Sequence, residues 1–175
     1  MVIPPSDARR FIKNYQDFLT SIADPGESEN KPVLEILARA RNRYAANRDL
    51  FSSWRAANNE RDADILDAIA GMEIGRWIYL KDTRSYSVFM NQDCNAAFAV
   101  QGLTERLRSL TGYSGLVITC GLFQLNNQYV CDGLLVNQAT LGANYLASFR
   151  ESYQALRASG VFYAKPPQAL VRPSR

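Results

Sequence analysis

The chain is predicted to fold as an α+β protein, with N-terminal helices packed on a mainly antiparallel sheet of about five strands and a C-terminal helix. Three observations predict it. Apolar residues recur at helical spacing up to Ile69. From Trp77 to Val136 the pattern changes to aromatic and β-branched runs with turn residues between them. Helical spacing then returns at Leu146, Phe149, Tyr153 and Leu156. The organisation reads as a helical part over 1–72, an α+β sheet part over 73–165 that makes one compact unit with it, and a mobile tail over 166–175.

The first helix starts after two prolines. Ser6 has the side chain of an N-cap, Asp7 suits the positive end of the helix dipole, and Phe11, Ile12, Tyr15, Phe18, Leu19 and Ile22 make one stripe. Asp24-Pro25-Gly26 stops that helix, and a polar linker runs over Glu27-Ser28-Glu29-Asn30. Pro32 suits a first helical position, followed by Val33, Leu37, Ala40 and Tyr44 at helical intervals. A further helix carries Leu50, Phe51 and Trp54. A short one carries Ile65, Leu66 and Ile69, with Gly71 as its C-cap.

Trp77 to Lys81 and Tyr86 to Met90 flank Asp82-Thr83-Arg84-Ser85, a hairpin signature. Residues 96–111 read as a strand to Gln101 and a helix from Thr104 to Gly112, with one continuous helix as the rival reading. Gly115 to Leu125 and Gln128 to Val136 are the clearest strands. Asn126-Asn127 joins them, because asparagine tolerates the positive φ of a two-residue turn.

That turn sets the register and hence the two faces. Leu116, Ile118, Cys120 and Leu122 share one face with Tyr129, Cys131 and Leu135. Val117, Thr119, Phe123 and Leu125 share the other with Val130, Leu134 and Val136. Both faces are apolar, whereas a sheet wet on one side alternates apolar with polar. The hairpin is therefore expected to be covered on both sides, by helices or by a second copy of the chain. Asp132 falls opposite Gly121 among apolar neighbours, where a carboxylate needs a partner such as Arg84 or Arg76. It is either half of a structural ion pair, an Asp-Gly turn, or the floor of a pocket.

Composition removes whole classes of chemistry. There is no histidine, so histidine-based triads, HExxH zinc sites and imidazole bases are excluded. The three cysteines have no CxxC spacing, and no run approaches the roughly 20 apolar residues of a membrane helix. With no signal-peptide pattern at the start, these features predict a cytoplasmic protein with free thiols, no membrane partner, no metal and no cofactor. Net charge is only +3.

Two groups remain as candidate sites. Lys81, Asp82, Arg84 and Tyr86, with Asp132, are the candidate anion-recognising pocket, since arginine offers a two-pronged donor; the plain alternative is an ordinary hairpin turn. Arg41, Arg48 and Arg55 fall seven apart and so near one face of an Arg-rich helix, a candidate nucleic-acid stripe; the plain alternative is a face paired with Glu60, Asp62, Asp64 and Asp67. No catalytic residue is assigned. The leading expectation is a non-catalytic interaction or regulatory module whose partner is another protein or a second copy. A small enzyme or ligand-binding protein is the first alternative and nucleic-acid binding the second.

Overall fold

The structure is a computed structural model that describes residues 1–24 and 31–167. The linker expected over 27–30 and most of the expected tail lie outside the described residues. The class is α+β: four N-terminal helices, a seven-stranded mixed sheet that is mainly antiparallel, and a C-terminal helix.

The helices are α1 (Pro5–Ile22), α2 (Val33–Ala46), α3 (Asp49–Ala56) and α4 (Ala63–Ala70). Ser6 lies inside α1, which begins after Pro4 without a side-chain cap. Proline at the first position replaces the cap, because its fixed φ is already helical and it has no N–H to satisfy. Asp7 keeps its first-turn place and accepts a 2.8 Å hydrogen bond from Asn126 Nδ2.

The strands are β1 (Glu73–Asp82), β2 (Ser87–Asn91), β3 (Ala97–Gln101), β4 (Leu116–Leu125), β5 (Gln128–Cys131), β6 (Val136–Thr140) and β7 (Phe162–Tyr163). The short helix α5 (Leu107–Thr111) separates β3 from β4, and α6 (Ala143–Ala158) precedes β7. Residues 96–111 therefore form a strand and a helix rather than one helix. That helix starts at Leu107, three residues later than expected, and Thr104 is exposed.

Hydrogen bonding closes the strands on themselves in the order β1-β2-β3-β5-β4, with β1 returning to β4; β3 and β5 are parallel. The result is a closed five-stranded barrel, and architecture alone assigns no function. The barrel is filled by alternate side chains, among them Trp77, Tyr79, Phe89, Ile118, Cys120 and Cys131, and Leu107 of α5 joins them.

The register about Asn126-Asn127 is the expected one: Leu125 faces Gln128 and Phe123 faces Val130. Both turn residues have positive φ, 49° and 59°, as a two-residue hairpin turn requires. The hairpin is buried on both sides within the chain. Leu116, Ile118, Cys120 and Leu122 face the barrel interior, while Phe123, Leu125 and Val130 pack against α1–α4. Of the covers expected, helices or a second copy, the chain's own helices cover one face, and the barrel interior takes the other.

One strand is shorter than expected. The run from Gln128 stops at Cys131 and resumes as β6 at Val136. Asp132 and Gly133 break it: Gly133 has φ 79°, and the Asp132 carboxylate accepts a 3.1 Å hydrogen bond from the Leu134 N–H, a local turn that competes with the ladder.

Candidate functional site

The turn between β1 and β2 is held by its own side chains. Thr83 Oγ1 donates to Tyr86 O at 2.8 Å and accepts from the Ser85 and Tyr86 N–H groups. Asp82 accepts from Tyr79 OH and Ser87 Oγ, both at 2.6 Å. Lys81 leaves the turn, its Nζ lying 4.8 Å from the Tyr153 ring centroid on α6. Tyr86 packs on Phe162 and Arg84 is exposed at the tip. Asp132 belongs to a different region, against α1 and α2. The five residues of the expected anion pocket therefore do not converge.

Asp132 is instead half of a buried ion pair, and its partner is Arg41 of α2 rather than Arg84 or Arg76. Arg41 Nη1 lies 3.4 Å from Asp132 Oδ2, and both side chains are inaccessible to solvent. The same Nη1 donates to the Leu134 carbonyl, and Tyr15 OH sits 3.5 Å from Asp132 Oδ2. Burial pushes the Asp132 carboxyl up from its ordinary range, opposed chiefly by the Arg41 charge. Burial and then the Asp132 charge push the Tyr15 phenol well up. Gly121 serves this pair: a Cβ there would meet Met72 Sδ and lie 2.9 Å from Asp132 Oδ2. Its missing side chain makes room for the carboxylate, not for a ligand.

The other arginines of the expected stripe are also engaged inside the fold. Arg48 donates to the Met72 carbonyl at 2.8 Å and lies over the Tyr44 ring, and Arg55 pairs with Asp67 at 2.7 Å. Asp62 and Asp64 pair with Arg10. On the outer β2–β3 face, Val88, Met90 and Ala97 lie under Tyr153 and Leu156 of α6.

The concavity that does form was not marked in the sequence. A half-open cleft of about 340 Å³ lies between α1, α2, the 103–110 segment and residues 132–134. Phe11, Ile12, Tyr15 and Leu19 supply one wall, Val33, Leu34 and Leu37 another, and Leu103, Leu107, Leu110 and Leu134 the rest. Gln16 and Thr104 are its polar lining residues at the surface. A second hollow of about 430 Å³ adjoins it, sharing Leu34, Leu110, Gly133 and Leu134. The rim is apolar and wet: Val33 is 62 % exposed, Leu34 68 % and Leu110 48 %. The available signal was Leu34, an apolar residue that adds to the stripe of α2.

Among the described residues, no group of three acidic or thiol side chains gathers to hold a metal, and no helix is long and apolar enough to cross a membrane. All three cysteines are free, Cys120 and Cys131 inside the barrel and Cys94 partly exposed. Burial, followed by the neighbouring Cys131, raises the Cys120 thiol well above its ordinary value, the opposite of what a thiolate nucleophile needs. Comparison with family models, curated proteins and solved structures finds no match for the chain.

Proposed function

We propose that the chain is a non-catalytic cytoplasmic binding module whose cleft between α1 and α2 takes a neutral, largely apolar ligand. The observation that carries this reading is the cleft with its exposed aliphatic rim. Its volume falls in the range of small-molecule sites, and its lining is apolar with a few polar groups, the usual composition of such sites. A wet rim of Val33, Leu34 and Leu110 gains free energy when covered.

The ligand is neutral because the one charged residue of the described lining, Asp132, is inaccessible to solvent and already paired with Arg41, so a charged guest would be desolvated without a partner. Absence of catalysis follows the same logic. Tyr15 and Asp132 are the titratable groups nearest the cleft, and a phenol pushed up by burial beside an occupied carboxylate is poorly placed to pass protons near neutral pH. The cytoplasmic placement rests on the three unpaired thiols.

The test uses the neutral fluorophore N-phenyl-1-naphthylamine. Titration into the full chain should give saturable enhancement with one site per chain. Leu34→Glu and Leu110→Glu should weaken it at least about tenfold by placing a carboxylate in the apolar rim. Tyr145→Glu, at an exposed residue outside the cleft lining, should leave it unchanged. Non-saturable binding, or equal binding by all variants, would remove the proposal.

A further inference from the structure

The half of α2 that walls the cleft is poorly anchored by apolar packing. Val33 and Leu34 are mostly exposed, Leu37 is half-buried, and the first fully buried side chains of the helix are Ala40 and Arg41. Arg41 reaches across to the opposite wall, with Nη1 on the Leu134 carbonyl and 3.4 Å from Asp132 Oδ2. Asp132 in turn accepts from the Leu134 N–H at 3.1 Å and approaches Tyr15 of α1 at 3.5 Å. One buried pair therefore touches α1, α2 and the 132–134 segment, three of the walls of the cleft.

We propose that Arg41 and Asp132 are a latch that holds the first half of α2 in place and so sets the width of the apolar cleft. They are positioning residues for its occupant, not ligand groups. The inference rests on the binding reading above for its functional meaning, but its structural content stands separately. Geometry favours a latch over general support. The barrel interior is filled by its own apolar side chains, and α1 is attached by the stack of Phe11 on Phe123, with centroids 3.9 Å apart at 6°. Neither depends on the ion pair, whereas that pair is what ties Arg41 of α2 to the 132–134 segment.

Removing one partner strands a buried charge and risks unfolding the chain, so the informative variant removes both. Arg41→Met with Asp132→Leu leaves no orphan charge, and exchanging a buried pair for apolar residues of similar volume is often neutral for stability. The full-length double variant should melt close to the wild-type chain. Its amides over 37–43 should exchange at least about tenfold faster, as local opening of one element, while those of β1 and β4 keep their protection. N-phenyl-1-naphthylamine should bind at least about tenfold more weakly.

Unchanged exchange together with unchanged probe affinity would overturn the latch. So would a double variant that fails to fold, since a latch on half a helix leaves the barrel standing. Faster exchange in α2 with no probe binding even to the wild-type chain would uphold the latch and reject the binding reading.

Discussion

The barrel has two apolar outer faces, and the chain covers them in different ways. Over β4–β5 lie four helices that form a core of their own: Phe18 meets Tyr44 edge-on at 5.1 Å and Phe51 edge-on at 5.0 Å, Trp54 lies tilted against it at 5.5 Å, and Phe11 stacks on Phe123 of β4. Over β1–β2–β3 lies a single helix, α6, whose buried side chains are Tyr153 and Leu156. The thick cover must satisfy helix–helix and helix–sheet packing together, and the cleft lies where α1, α2 and the barrel loops fail to close. The thin cover has one packing problem to solve, with Lys81 and Arg157 over the Tyr153 ring. The cleft follows the harder packing problem.

The largest expected effect separates the two covers. Phe123→Ala removes the ring on which α1 rests and should cost about 3–5 kcal/mol, the usual range for a buried phenylalanine. Urea unfolding should show a single transition at lower midpoint, because helices and barrel share that cluster. Tyr153→Ala should cost less, roughly 2 kcal/mol, since the space it vacates under a single helix can open to water. Its effect should appear first as faster amide exchange within α6. Equal costs, or a Tyr153→Ala chain that loses the barrel as readily, would erase the contrast.

A smaller effect comes from alkali. Tyr15 lies under the thick cover and Tyr79 inside the barrel; burial first, then the nearby Asp132 or Asp82 carboxylate, holds both phenols above their ordinary value. A group whose pKa is raised by folding contributes stability that is fully present below its unfolded value and lost as pH climbs through the folded one. The chain should therefore lose stability above about pH 10. Absorbance at 295 nm should show Tyr15 and Tyr79 ionising only as the chain unfolds. Ionisation of all nine tyrosines in one early step would contradict the depth assigned to Tyr15 and Tyr79.

Much of this arrangement is legible along the chain, and the boundary of legibility has a physical cause. The two faces of the β4–β5 hairpin follow from alternation about Asn126-Asn127, because a period-two pattern and a two-residue turn leave one register. The burial of Asp132 opposite Gly121 was readable on the same ground. Its partner was not: Arg41 lies 91 positions away, and the heptad spacing assumed one continuous helix, whereas Arg41 lies on α2, Arg55 on α3 and Arg48 between them. The hydroxyl-rich turn at 83–86 drew attention because turn chemistry and site chemistry use the same residue types. The cleft was missed for the converse reason. It is made of leucines from four segments, and apolar residues at helical spacing look alike whether they fill a core or line a gap.

The smallest effect tests the thin cover at its edge. Lys81 Nζ sits 4.8 Å from the Tyr153 ring centroid at a half-buried position beside Tyr86 and Phe162. A cation over an aromatic face in such a setting contributes about 0.5–1 kcal/mol. Lys81→Gln should lose about that much, while Lys81→Arg should keep most of it, because a guanidinium also lies well over a ring. The loss should be absent in a Tyr153→Leu background, where no ring remains, and that double-mutant cycle isolates the contact from general effects of charge. The same pair of chains decides the competing role of the turn. Inorganic phosphate that raised the wild-type melting point but not that of Lys81→Gln would make Lys81 an anion ligand, and α6 would then border a site rather than seal a face.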